Sequence, residues 1–301
     1  MEIFYTKTYN LSGDNDVKQR IVETAARELG FEELSLFRFP DKSDNDEELH
    51  YRMDGITAAV SDESVVIFQY PSMVSARYDR FLIEHLKRRR ELKLILFVQD
   101  FGNTVFPDGY ANVKEEIELF NQADLLILQS EKMEEYLKKE GLADIPVMYQ
   151  EVWDYPYDIS RNSIKIEKRL ERITDISVNH LMGIKSAGVG MISDFSSYYM
   201  DMCNPLRTGF YICAGIPVVA KSGSRLADFI GRYRIGIFTE TYDEANKIVE
   251  TLTDEQLNDI KSNINKISRA ISGGIYTKTL LQDAVYEIVT KNVIKSVIKS
   301  N

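Results

Sequence analysis

Short apolar runs, spaced along the first half of the chain, restrict its fold more than any other feature. Glu2–Thr6, Leu34–Phe39, Ser64–Tyr70, Leu92–Val98 and Leu125–Gln129 are such runs, with Val147–Tyr149 a weaker one. Their β-branched and aromatic content predicts buried parallel strands. Helical patterns lie between them. Val17, Ile21, Ala25 and Leu29 form one stripe, closed by Gly30; Leu82, His85 and Leu86 mark another; Ser130 caps a third that begins at Glu131. Strands alternating with helices predict a doubly wound α/β domain that binds ligands at the carboxyl ends of its strands.

A break follows at Gln150–Arg161, where Trp153, Asp154, Tyr155, Pro156 and Tyr157 crowd together. Aromatic, proline-bearing and aperiodic, this stretch suits a crossing between lobes. Beyond it the pattern predicts a helix near Ile164–Arg172, a strand at Val189–Asp194 and another at Gly236–Thr239. Helices follow at Tyr242–Leu252, Asp254–Ile271 and Tyr276–Lys299, the last long enough to reach back onto the first lobe. The expected organisation is a Rossmann-like domain over 1–150, a reduced second one over 151–275, and a returning helix over 276–301.

Bulk properties exclude several classes. The 301 residues are 44% hydrophobic, enough for either one large domain or two ordinary ones. A net charge of −10 argues against binding a phosphate backbone or an anionic membrane surface. Cys203 and Cys213 make no disulfide framework; they are expected on one helix and reduced. The opening Met-Glu-Ile-Phe-Tyr-Thr has no signal-peptide pattern, and no run approaches the ~18 apolar residues of a membrane span. The expectation is a soluble cytoplasmic protein. His50, His85 and His180 lack metal-ligand spacing, so no metal site is expected. No glycine fingerprint, P-loop or nucleophile-elbow motif is present.

The candidate site residues sit at strand ends. Residues 204–220 are the most informative: Asn204 as N-cap and Pro205 at the first helical position open a helix, Gly215 closes it, and Ile216–Ala220 is a buried strand. Arg207 then falls in the first helical turn, which disfavours cations unless an anion lies between; an arginine turned out into water is the other reading. In Tyr9-Asn10-Leu11-Ser12-Gly13, Ser12 and Gly13 bring amides to a ligand or form a plain polar turn. Asp100, after the fourth strand, either binds a sugar hydroxyl and accepts its proton or caps the next turn. Tyr70 with Ser72 offers a ring and a hydroxyl to a sugar, or is core. Asp194, with Ser196, Ser197, Tyr198 and Tyr199, forms a hydroxyl-rich loop suited to a ribose and a diphosphate.

Asn204-Pro205-Leu206-Arg207 followed by Tyr211-Ile212-Cys213-Ala214-Gly215-Ile216-Pro217-Val218 resembles the donor-site helix of GT-B glycosyltransferases. The most similar members are bacterial galactofuranosyltransferase-like enzymes and the glucosyltransferases that modify serine-rich adhesins. Met53–Ile56, Val65–Pro71, Leu94–Asp100 and Ala123–Met133 resemble the same family in order. The resemblance implies a metal-independent, cofactor-free transferase moving a sugar from a nucleotide-diphosphate donor, expected to be UDP-linked, to a hydroxyl of a glycan or glycoprotein. It implies that Arg207 stabilises the diphosphate leaving group, that Asn204, Asp194, Tyr199, Ser12 and Gly13 bind the nucleotide sugar, and that Asp100 is the catalytic carboxylate. Tyr9, Asn10 and Tyr70 are then expected on the acceptor side, with a homo-oligomer or a partner glycosyltransferase as possible assemblies.

The chain departs from that pattern at Gln99 and Leu206, where the family carries histidines. Residues 158–187 are also too short and polar for the two strands and phosphate loop that open the family's second lobe. These departures leave an alternative, a non-catalytic GT-B-like subunit that binds a glycoprotein or stabilises a partner enzyme.

Overall fold

The computed structural model describes residues 1–101, 110–156, 164–192, 194–195 and 198–299. The chain divides into two compact units, Met1–Tyr149 with Lys278–Asn301, and Gln150–Thr277.

The first unit opens with β1 (Ile3–Tyr9), α1 (Gly13–Glu28), β2 (Glu32–Phe37), α2 (Asp46–Ile56), β3 (Val65–Tyr70) and α3 (Ala76–Leu86). It continues with β4 (Lys93–Val98), α4 (Val113–Phe120), β5 (Leu125–Leu128), α5 (Glu131–Lys139) and β6 (Val147–Tyr149). These strands form a six-stranded parallel sheet in the order β2-β1-β3-β4-β5-β6. Every residue of β3 and β5 is buried, as expected of strands covered on both faces. The strand order reverses between β1 and β3, which places a crevice beyond their carboxyl ends.

The second unit holds β7 (Lys165–Glu171), α6 (Val178–Gly183), β8 (Ser186–Met191), α7 (Tyr198–Met202), α8 (Arg207–Cys213) and β9 (Val218–Lys221). α9 (Arg225–Tyr233), β10 (Gly236–Thr239), α10 (Tyr242–Thr251) and α11 (Asp254–Ser272) complete it, and α12 (Ile275–Lys299) runs on into the first unit's closing segment. Its parallel sheet has the order β10-β9-β8-β7. Val189 and Val219 of the sheet pack with Ala245 and Val249 of α10 and with Leu257 of α11, and Ile166, Leu170 and Ile237 lie against the same cluster.

The structure corrects the sequence reading at three places here. Residues 165–171, expected as helix, are strand β7. Helix α8 starts at Arg207 rather than Pro205, and its N-cap residue is Leu206, with no side-chain cap bond. Cys203 therefore precedes that helix while Cys213 ends it, and both are free and buried.

Candidate active site

In the first unit the polar groups gather where β1, β3 and β4 end. Asp100 is buried, and its Oδ2 accepts a hydrogen bond from Lys18 Nζ at 2.5 Å. Lys18 reaches it from α1, which Gln19 fastens to β1 by accepting from Thr8 N at 2.7 Å. Sequence reasoning missed Lys18. Its signal was position: the buried stripe of α1 is Lys18, Gln19, Ile21, Val22, Ala25 and Ala26, rotated from the expected one, so a lysine lies on the helix's inner face. A lysine so buried is retained only with a partner.

Below Asp100 an amide ladder crosses the sheet. Gln69 Nε2 donates to Thr6 O at 2.5 Å, Gln99 Nε2 to Gln69 Oε1 at 2.6 Å, and Gln129 Nε2 to Gln99 O at 2.5 Å. All three glutamines are buried. A satisfied buried network of this kind fixes backbone position, here of the residue preceding Asp100.

The loop from β1 to α1 is exposed at Tyr9, Asn10, Ser12 and Gly13. Asn10 and Gly13 take left-handed φ of 65° and 64°. Ser12 is the N-cap without a side-chain cap bond, and Asp14 and Asp16 occupy the first turn of α1. Those carboxylates already answer the helix's partial positive charge, so this end is a poor phosphate seat.

Tyr70 and Ser72 are corrected from acceptor contacts to core. Tyr70 is fully buried, its hydroxyl donates to Glu116 Oε1 at 3.0 Å, and its ring meets Phe120 and Tyr110 edge-on. Burial drives that hydroxyl well above its ordinary pKa. Ser72 is buried too, and its N–H donates to Asp79 Oδ2 at 3.2 Å.

In the second unit Asp194 lies exposed after β8, and Tyr199 is half-buried in α7. Ser196 and Ser197 lie outside the described residues. Asn204 is buried, and its Nδ2 donates to Gln150 O at 2.5 Å. It therefore fastens backbone within the unit, and the role of helix cap expected of it is not the one it fills. Arg207 is half-buried at the start of α8. A helix leading into a parallel strand runs against it, so Arg207 stands at the carboxyl edge of the sheet. Its charge favours ionisation of Tyr211, whose hydroxyl accepts from Ile173 N at 2.9 Å; burial, the larger effect, raises that group. With only two turns in α8, the guanidinium rather than the helix end is the cationic feature.

A second cation at the same edge escaped the sequence reading. Lys221 ends β9, and its Nζ lies 2.9 Å from Asp201 Oδ2. After it Gly223 takes φ 68°, and Ser224 Oγ turns back to Lys221 O at 2.6 Å instead of capping α9. Lys-Ser-Gly-Ser between a strand and a helix was the available signal. Among the described residues no group of three or more His, Cys, Asp or Glu side chains is arranged to hold a metal ion.

Residues 3–152 match the model of the glucosyltransferase 3-like N-terminal domain, and residues 170–284 match that of the C-terminal domain. The chain is 29% identical to Glucosyltransferase 3 of Streptococcus gordonii, over 96% of this chain and 100% of that one. It is 23% identical to Glucosyltransferase 3 of Streptococcus parasanguinis, over 90% and 93% of the two chains. Among solved structures, Anabaena Alr3699/HepE in complex with UDP superposes with a TM-score of 0.57 at 12% identity, covering 95% of this chain and all of that one. The fold is thus shared with a structure that is far in sequence. With both halves matched in order, the chain belongs to the glucosyltransferase 3-like family of GT-B glycosyltransferases.

Proposed function

We propose that this glycosyltransferase takes its sugar from a UDP-linked donor and places it on a hydroxyl of a glycan or glycoprotein. The observation that carries the donor half is Arg207, a half-buried guanidinium at the carboxyl edge of the second sheet, with Lys221 at that edge as well. A guanidinium fixed there neutralises the charge that develops on a departing diphosphate, the task a metal ion performs elsewhere, while Lys221 is already paired with Asp201. The Anabaena structures, solved in complex with UDP and with UDP-glucose, and the kinship with the streptococcal glucosyltransferases favour a uridine nucleotide.

The remaining roles follow from chemistry. Asp194 and Tyr199 offer a carboxylate and a hydroxyl to the ribose or the sugar. Asp100 is the carboxylate that takes the acceptor's proton, with Lys18 fixing its orientation. Ser12 and Gly13, exposed in the first unit, offer backbone amides to the nucleotide sugar, and the exposed Tyr9 and Asn10 offer a ring and an amide to the acceptor. No metal and no separate cofactor is required on this reading. Among the described residues no helix is long and apolar enough to cross a membrane, and a cytoplasmic setting goes with the reading. The alternative of a non-catalytic subunit rested on a second lobe short of strands, and β7 returns one of them.

Calorimetric titration with UDP tests the donor site. Saturable heat is expected, with Arg207→Ala weakening binding by about 1.5–3 kcal/mol, the worth of a charge-assisted contact. Arg207→Lys should recover part of it. Absence of heat at millimolar UDP, or an Arg207→Ala variant that binds like the parent, overturns the assignment.

A further inference from the structure

We propose that Tyr9 and Phe37 together form a stacking platform for a sugar ring of the acceptor, at a distance from the hydroxyl that reacts. The proposal rests on the glycosyltransferase reading and adds to it a binding subsite and the class of ligand that fills it.

Both rings are on the surface: Phe37 is 59% exposed and Tyr9 37%. They are register partners at the carboxyl ends of β1 and β2, so their side chains stand next to each other on one face. The rings stack with centroids 5.3 Å apart and planes 20° from parallel. Tyr9 is also held at its far end, where its hydroxyl donates to Glu33 Oε1 at 2.9 Å. That carboxylate is itself fixed by Ser35 Oγ at 2.5 Å and Tyr5 OH at 3.3 Å. Just beyond the pair, Arg38 N donates to Tyr9 O at 3.2 Å and carries the ladder one step further.

Single exposed apolar side chains are ordinary and need no explanation. Two rings stacked on each other, with the inner one anchored through its hydroxyl, are a different case, because the outer ring is presented rigidly. Little ordering entropy then remains to oppose a ligand that lands on it. A pyranose has a flat face of C–H groups rimmed by hydroxyls, which matches an aromatic face beside a polar group. Asn10 supplies the polar group: it follows Tyr9 directly, is exposed, and is turned by its left-handed backbone.

Position makes this an acceptor subsite. The rings share the carboxyl edge of the sheet with Asp100, and the strand order is β2-β1-β3-β4. With neighbouring strands about 4.8 Å apart, Tyr9 lies roughly 10 Å and Phe37 roughly 14 Å across the sheet from the end of β4. That separation fits a sugar residue further along an oligosaccharide, whose binding energy serves to hold the reacting hydroxyl in place.

The test uses the whole protein saturated with UDP, with cellobiose, chitobiose and maltose as probes in saturation-transfer NMR. At least one disaccharide should receive saturation on its ring protons. Phe37→Ala should weaken that disaccharide roughly three- to tenfold, the worth of one stacked ring, while Phe37→Trp retains it. UDP affinity should be unchanged in both variants. Silence from all three disaccharides, or binding indifferent to Phe37→Ala, overturns the platform even where UDP binds normally. A change in solution mass on Phe37→Ala overturns it as well, by assigning the rings to contact with a second copy. Failure of UDP to bind while a disaccharide still depends on Phe37 overturns the donor assignment alone and keeps the platform.

Discussion

The two units build parallel sheets by different means. In the first, β3 and β5 are buried at every position and β4 at all but its first. The core there is made of large side chains, including Phe68, Phe97 and Phe120. In the second, the central strand β8 is buried at four positions, while at the edges no residue of β7 is fully buried and β10 has only Thr239 inside. That unit's core also holds large side chains, Trp153, Tyr155, Phe210 and Tyr211, and close backbone approach is added to them. A Cβ on Gly209 would lie 2.3 Å from Trp153 O, one on Gly236 2.0 Å from Val218 O, and one on Gly190 2.7 Å from the Tyr211 ring. In the second unit glycines let backbone and rings approach at points where any side chain would hold them apart.

This contrast predicts opposite sensitivities. Phe97→Ala should cost the first unit about 3–5 kcal/mol through the cavity it leaves. Gly209→Ala removes no contact, yet it should cost the second unit about 3 kcal/mol, because the opposing atom is backbone carbonyl and cannot swing aside. Hydrogen exchange separates the two: the first variant should deprotect β3 to β5, the second α8 and β9. The contrast collapses if Gly209→Ala exchanges like the parent.

The units also differ in the chemistry assigned to them, the first holding Asp100 and the second Arg207. Asp100→Asn preserves shape and removes the base. Transfer to any working acceptor should slow by about a hundredfold or more, while UDP heat, which depends on the other unit, stays at the parent value. Transfer at the parent rate would end the base role. Loss of UDP heat would mean that the first unit also holds the donor.

How much was legible in the sequence follows the same division. Buried strands announce themselves through unbroken apolar runs, so β3 at Val65–Tyr70 and β4 at Lys93–Val98 fall inside their expected spans. Strand β7 did not, and the reason is local. Its pairing with β8 shifts register between Glu167 and Leu170, so Ile166 and Leu170 are spaced as on a helix and the alternation of a strand is broken. Asn204 and Pro205 carry the signature of a helix start, but the asparagine side chain bonds Gln150 O and the helix begins at Arg207. Tertiary use of a capping residue cannot be read from its neighbours. Of the candidate site, the residues after strand ends were legible because topology puts loops there. The Lys18–Asp100 pair was not, since the partners are far apart in sequence and meet only across the sheet.

Asp79 gives the smallest effect and the sharpest separation of the units. It lies in the first turn of α3, where an acid looks like a routine helix-dipole partner. Instead it is completely buried, accepting from Ser72 N and, at 2.8 Å, from the Tyr110 hydroxyl. Burial pushes its carboxyl up to about 7, with Asp41 adding to the rise and the hydrogen bonds from Ser72 and Tyr110 working against it. The folded protein therefore holds this proton over a range where the unfolded chain, titrating near 3.8, has released it. The stability this group contributes falls as pH rises from about 4 to about 7, and it adds no slope outside that window. Between pH 5 and pH 8 the loss should be on the order of 2 kcal/mol. Asp79→Asn keeps both acceptor contacts on its carbonyl oxygen and cannot ionise, so its urea midpoint should be flatter than the parent's across the same range. The slope belongs to the transition of the first unit alone. A parent protein whose first transition is as flat as the variant's would show that Asp79 ionises freely and that water reaches it.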